Sequence, residues 1–406
     1  MAVQEQAEPV VTATDRRNAR LYLTGLAASL LGDSAMSLVA GIWVKSLTGS
    51  SAAAGLVSAC MYLPSLFGPA AGLLADRVPR RRLLLVLNVG SAVFVLTLLA
   101  VRSAAEVWLI FCVMIWYGAS LAVGDPAENA LFAEMLPASL RQRVNGWRLG
   151  LQETGRLVAP LFGAALFALV GGGSVAALDS VTFVVAALAV AGLRLREPAP
   201  RPPATNWRAD LLAGLVHVRR TPELARLLVT GGFVIVLSGL LVAPQYSLIQ
   251  AIGEPPAFLG VLSACLGAGS IVASLVSSRL LRRLGEDRLA MLGMINFIVN
   301  AGLRATGNLP CVVIAALVGG FALPWTFLAI LSLAQRRTPL GLQGRVSALV
   351  SLVLFGPQAP VQALGSLAIR YLSYRQVYLA GAALAAAATG ALIAFSRRGD
   401  PRITDE

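Results

Sequence analysis

Histidine and lysine are almost missing from this chain: His217 and Lys45 are the only ones among 406 residues. One imidazole cannot build a multi-histidine zinc site. The four cysteines, Cys60, Cys112, Cys265 and Cys311, all sit inside apolar runs, without CxxC spacing and without a histidine beside them. They read as small buried residues rather than disulfide partners or metal ligands. No Walker loop, GxSxG elbow or metal-ligand spacing occurs. Neither an enzyme nor a resident metal or cofactor is expected. Charge is scarce as well: 13% of residues are charged, about half of the ~25% of a soluble domain.

What fills the chain is apolar: 57% of its residues are hydrophobic. A spanning helix needs ~20 such residues, and backbone amides in hydrocarbon must bond within their own segment, so long apolar runs there are helices. Twelve spans are expected, at 21–46, 52–75, 83–101, 106–132, 145–170, 175–194, 223–247, 257–279, 288–304, 309–333, 346–369 and 376–395. The fold class is an all-α membrane protein with about twelve transmembrane helices.

The net charge is +13. The arginines lie between apolar runs rather than on one soluble face, so they report topology and not nucleic-acid binding. With the N-terminus inside, 27 basic residues fall in the cytoplasmic segments and five in the opposite ones. Both termini are therefore expected in the cytoplasm. The polar start carries Arg16, Arg17 and Arg20 and lacks a clear cleavage site, so the run from Leu21 reads as a retained first span. The expected divisions are a tail over 1–20, a six-helix bundle over 21–195, a central loop over 196–222, a second bundle over 223–395 and a tail over 396–406. In the central loop, prolines 198, 200, 202 and 203 make an extended start. The segment Trp207 to Arg220 is amphipathic, which suits a helix lying on the membrane surface. His217 reads as a surface residue of that helix.

The halves echo each other. Gly55-Leu-Val-Ser-Ala-Cys60 recurs as Gly260-Val-Leu-Ser-Ala-Cys265, and Pro137, Leu140, Arg143 and Val144 match Pro339, Leu342, Arg345 and Val346. Two parallel six-helix halves with a site at their interface are a transporter architecture.

Acids in the hydrocarbon are the candidate chemistry, because an ionised side chain at mid-bilayer costs at least ~2.5–3.5 kcal/mol. They are Asp33, Asp125, Glu128, Glu153 and Asp179, all in the first half. Asp33 sits alone near the middle of the first span and is the better proton carrier. Glu153 and Arg156 share a face of the fifth span; they either pair structurally or line the cavity. Asp179 reads as an interface residue. Asp125-Pro126 breaks the fourth span, so Asp125, Glu128 or Glu134 is expected to meet the arginines of the loop between the second and third spans. In the fifth span Gly150, Gly155, Pro160 and Gly163 permit close approach and bending.

That loop, Gly72 to Leu84, holds Asp76, Arg77, Arg80 and Arg81. It resembles the cytoplasmic loop signature G-x-L-a-D-R-x-G-R-R of the major facilitator superfamily, with Pro79 in the glycine's place. Gly32-Asp33, Leu47-Thr48-Gly49-Ser50, Pro64 and Gly344-Arg345-Val346 are similar to its macrolide-efflux and enterobactin-exporter type of drug:proton antiporter. The resemblance implies the two-half fold and a cytoplasmic gate. In it Asp76 accepts bonds from the start of the eleventh helix near Arg345, and the loop arginines pair with a fourth-helix acid. It also implies that Gly150–Gly163 is the exporters' fifth-helix motif. The family's fourth-helix arginine is missing, since 112–124 holds none.

The expected activity is proton-coupled export of a small amphipathic or lipophilic compound by a monomer in the bacterial plasma membrane. Its partners are that substrate, protons and the bilayer, with no nucleic acid. An uncoupled facilitator or lipid flippase and a non-transporting sensor are the alternatives.

Overall fold

The structure, a computed structural model, describes residues 11–67, 78–195 and 207–398. Among the described residues it is helical and contains no strand. The first half comprises α1 (Ala13–Thr48), α2 (Ser51–Tyr62) with a 3-10 extension over Leu63–Phe67, α3 (Arg80–Leu96), α4 (Val107–Met135), α5 (Ala138–Val170) and α6 (Gly172–Gly192). A short helix, α7 (Trp207–Arg220), precedes the second half. That half comprises α8 (Pro222–Leu240), α9 (Val242–Ala251), α10 (Phe258–Ala305), α11 (Leu309–Arg337), α12 (Gln343–Phe355), α13 (Gln358–Tyr371) and α14 (Tyr374–Arg398).

Ten helical segments among the described residues are long and apolar enough to cross a membrane, and Ser51–Leu66 forms a shorter apolar one. The 48-residue α10 is too long for a single pass. It is broken at Gly285, whose φ of 77° takes the chain out of the helix. The break falls between the eighth and ninth expected spans, so α10 supplies two passes, and with Ser51–Leu66 the described residues account for twelve. Two further spans are interrupted: α8 passes to α9 at Leu241, and α12 to α13 at Gly356-Pro357. Both interruptions lie in the second half, and broken helices are a recurrent feature of transporters.

Local chemistry sets the helix ends. Thr12 Oγ1 accepts from the Asp15 amide at 3.1 Å while the Asp15 carboxylate accepts from the Thr12 amide at 2.8 Å, a reciprocal cap. At its far end α1 closes on Gly49 in the left-handed region, whose N–H reaches the Lys45 carbonyl.

Each half has its own buried cluster. Met36, Val39, Ile110 and Met114 lie in the first; Leu224, Leu227, Leu289 and Met294 lie in the second. Large apolar side chains such as Leu169 and Leu275 point outward, 83% and 74% exposed. Lipid tails are as apolar as leucine, so this exposure costs nothing in a bilayer, and van der Waals packing holds the helices together. A third cluster joins the halves, with Ile42, Ala54 and Ala164 from the first against Tyr246, Leu259 and Leu262 from the second.

The repeated glycines explain the seam. A Cβ on Gly55 would lie 2.9 Å from Ala243 Cα, and one on Gly260 would lie 3.1 Å from the Pro160 carbonyl. Each repeat copy therefore places a glycine where its helix crosses the other half. Next to this seam, at the end of the bundle away from Arg80, Lys45 Nζ donates to the Gly49 carbonyl (2.7 Å), Ser51 Oγ (3.0 Å) and, across the halves, Gln250 Oε1 (2.8 Å). Further along the seam, Ser65 Oγ donates across the halves to the Phe355 carbonyl at 3.4 Å.

Within the fifth-span motif the glycines differ. A Cβ on Gly163 would lie 2.7 Å from Ala35 Cβ and 2.9 Å from its Cα, whereas one on Gly150 meets open space. Gly163→Ala is expected to destabilise by about 1–3 kcal/mol through forced separation of α1 and α5. Gly150→Ala should be neutral or stabilising by up to ~1 kcal/mol. Thermal melts of both variants in detergent check the contrast, and equal melting temperatures would refute it.

Candidate functional site

A cleft runs into the first half between α1, α3, α4, α5 and α6. Helical phase builds it. Along α1, Tyr22, Ser29 and Asp33 return to one face at spacings of seven and four. Along α4, Tyr117, Ser120, Gly124, Asp125 and Glu128 form a continuous stripe. The walls between these polar groups are apolar, including Leu26, Leu30, Leu84, Leu87 and Phe183. The enclosed volume is about 190 Å³. That is below the ~300–1,000 Å³ of drug-sized ligand sites, and it has room for about six waters at ~30 Å³ each.

The polar groups are organised from the mouth inward. Near the arginine-rich end Tyr22 Oη donates to Glu128 Oε1 at 2.7 Å, and Arg148 approaches the same oxygen at 3.8 Å. Asp125 lies one turn deeper. Asp33 lies deeper again: Ser29 Oγ donates to its Oδ2 at 2.9 Å, while its Oδ1 is buried without a hydrogen-bond partner. Ser120 Oγ, also buried, has none. Three carboxylates and one guanidinium thus face the cleft.

Asp179 of α6 is completely buried. Tyr117 donates its phenol proton to Asp179 Oδ2, and Thr182 Oγ1 lies 3.3 Å from Oδ1. The Asp179 carboxylate abuts Gly32, and Asp33 is near enough to interact with it electrostatically. The sequence reading of Asp179 as an interface residue is therefore corrected: it is a core acid beside Asp33. Tyr22, Tyr117 and Arg148 were not singled out from sequence. The stripe from Tyr117 to Glu128 at steps of three and four was the signal available for Tyr117.

The structure separates other residues that the sequence grouped. Glu153 and Arg156 pair on α5 at 3.7 Å, with Arg156 67% exposed. They do not line the Asp33 cleft; Gln152 does. Arg156 instead interacts with Tyr62 of α2, and its carbonyl lies beside Gly267 of α10, where the two halves meet. Glu153 Oε2 is buried without a partner.

Of the three fourth-helix acids, Glu134 meets the loop arginines, through an ion pair with Arg80. Asp125 and Glu128 face the cleft instead. Arg81 donates to the Val190 carbonyl (3.1 Å) and to that of Ala191, tying α3 to the end of α6. Gly72, Asp76 and Arg77 lie outside the described residues. Arg345, in the first turn of α12, has its carbonyl against Gly214 of α7, and His217 of α7 lies 3.2 Å from the Arg337 carbonyl. Gly155 makes ordinary contact with Leu30. Among the described residues no group of three or more His, Cys, Asp or Glu is placed to hold a metal.

The second half holds a comparable tie with its charges exchanged, displaced by one residue on the loop side. The offset that carries Gly55 to Gly260 carries Arg81 to Glu286; the offset that carries Pro137 to Pro339 carries Glu134 to Arg336. Glu286 and Arg336 pair at 3.0 Å. Arg226–Asp287 and Arg337–Glu223 complete an ion-pair cluster there.

A two-half bundle with its mid-span acids in one half suits a carrier, and the sequence comparison agrees. The model of the Major Facilitator Superfamily matches residues 21–360. The chain belongs to this family. It is a multi-pass membrane transporter and not an enzyme. Macrolide efflux protein A of Streptococcus pyogenes is 26% identical over 212 residues, 51% of this chain and 52% of that protein. The match thus spans about half the length of this relative. The uncharacterised MFS-type transporter YkuC of Bacillus subtilis is 23% identical over 284 residues, 65% of this chain and 66% of that protein. Among solved structures, the nucleoside transporter NupG superposes with a TM-score of 0.72 at 13% identity, over 95% of this chain and 100% of that one. A bacterial homologue of the iron transporter ferroportin, in its inward-facing state, gives 0.72 at 17%, over 94% and 99%. These likenesses establish the fold.

Arg80 and Glu134 are 27% and 40% exposed. Partly exposed pairs couple weakly, so a double-mutant cycle of Arg80→Ala and Glu134→Ala is expected to give about 0.2–1 kcal/mol. Melting of the four proteins in detergent measures it, and strictly additive losses would remove the pair from the list of stabilising contacts.

Proposed function

We propose that this transporter exports a small amphipathic or lipophilic compound in exchange for protons, acting as a monomer by alternating access. The observation that carries this reading is the acid-lined cleft ending at Asp33, whose Oδ1 is buried and accepts no hydrogen bond. A carboxylate left this way in an apolar bundle is costly when ionised, and protonation relieves the cost. The cleft has the volume of a water-filled proton route and is too small for a drug-sized ligand. The substrate is assigned to the space between the halves, where Glu153, Arg156 and Tyr62 lie. The macrolide efflux relatives support an antibiotic-like cargo.

The arginine asymmetry supports cytoplasmic termini in a bacterial plasma membrane. The Arg80–Glu134 tie supports a cytoplasmic gate in this loop. We assign Asp76 to the same gate through its match to the family loop signature, with the amides at the start of α12 as its donors.

Inverted membrane vesicles supplied with a labelled macrolide provide the test. Accumulation should build with an imposed proton gradient and collapse with an uncoupler. Asp33→Asn should reduce it to the uncoupled level. Transport indifferent to the gradient would make the protein a facilitator, and gradient-driven transport that survives in Asp33→Asn would move the proton elsewhere.

A further inference from the structure

Asp179 has no place in the reading above, yet it is the most deeply buried acid among the described residues, with no exposed surface. Its described partners are the Tyr117 phenol and Thr182, which are neutral. Its Oδ1 lies where a side chain on Gly32 would stand: a Cβ there would be 2.2 Å away. Glycine at that position lets the carboxylate of α6 reach the backbone of α1 one residue from Asp33. Asp33 in turn offers one oxygen to Ser29 and leaves the other, buried, with none.

We propose that Asp33 and Asp179, held by Tyr117, form one proton-binding unit that shares a single proton, rather than Asp33 acting alone. This deepens the proton-coupled reading and rests on it for its physiological role. Two neighbouring carboxylates across a helix–helix seam in an apolar bundle cannot both carry charge cheaply, and they cannot both be protonated without one losing an ionised acceptor for the Tyr117 donor. The intermediate state, with one proton and one negative charge, satisfies both demands. The proton comes from water at the mouth of the cleft. It passes the other titratable groups that face the route: Tyr22 and the Glu128–Arg148 pair at the entrance, then Asp125. The neighbouring face of α3 contributes Asn88 and Ser91, which do not titrate. Among the described residues Arg148 is the only cation lining the cleft, and it is engaged with Glu128 at the entrance. Tyr117 is a positioning residue, since it orients Asp179 and faces the cleft itself.

The test is an infrared pH titration of the whole purified chain in lipid nanodiscs, following the C=O stretch of protonated carboxyl groups, with sodium held constant and then varied. Difference spectra against Asp33→Asn and Asp179→Asn assign the bands. Two coupled steps are expected in the unaltered protein. Removing either acid should displace the step of the one that remains by at least about one pH unit. Tyr117→Phe, which keeps both acids and nearly all the packing, should displace a step as well, so the test survives if Asp179→Asn does not fold. The proposal is overturned if each carboxyl titrates at the same place whether or not its partner is present. It is also overturned if Tyr117→Phe moves neither step, or if sodium displaces the bands in place of protons. The titration needs no cargo. Coupled steps without gradient-driven macrolide transport would sink the exporter reading and leave the shared proton standing; transport with independent carboxyls would do the reverse.

Discussion

Hydrocarbon offers no hydrogen bonds, and the rest of the structure answers to that fact. In water an unpaired carboxylate is ordinary; inside this bundle it must find donors, a counter-ion or a proton. Glu128 has the first two, in Tyr22 and Arg148. Asp179 has donors alone, and Asp33 has one donor for two oxygens. The polar groups therefore grade from well satisfied at the mouth of the cleft to poorly satisfied at its end. Neutralisation would relieve the most at the deep end. Helix-to-helix seams obey the same constraint. Because burial from lipid gains nothing, small residues at Gly55, Gly260 and Gly163 bring backbones close enough for dispersion to hold them.

The two halves were built from one plan and then diverged in charge. The first half fastens its arginine-rich end with a base on the loop side and an acid at the end of α4; the second does so with Glu286 and Arg336 in exchanged roles. Either arrangement satisfies the local electrostatics, so the sign was free to drift. Position held to within one residue: each tie joins the start of the third pass of its half to the end of the fourth. The cleft acids did not persist in this way. The second half has no acid in the middle of any span.

Much of the fold was legible because membrane spans are long and uniform. Twelve passes were readable by length, and the charged stretch from Arg279 to Arg288 marks the break that divides α10 at Gly285. The site was legible in depth but not in azimuth. The sequence places Asp33 in the bilayer and Asp179 at its outer interface, and nothing in it says which faces of α1 and α6 meet. Gly32 was the only local hint. Likewise Asp125, Glu128 and Glu134 share one helix end, and only phase separates them. Glu134 lies six residues beyond Glu128, most of a half-turn away in direction, so it reaches Arg80 while the other two look into the cleft. Glu153 and Arg156 were readable as neighbours on one face, with pairing and cavity lining both left open; that the face turns toward the seam and not toward Asp33 required the neighbouring helices.

Lys45 carries the only side-chain amine in the chain, and it is 7% exposed while Gln250 of the other half covers it. Any movement that parts the halves at that end uncovers a single lysine amine in a protein whose other basic side chains are almost all arginine. The molecule thus contains a natural chemical reporter: the rate at which Lys45 reacts with a water-soluble acylating reagent tracks how often that end stands open, without a label having to be introduced.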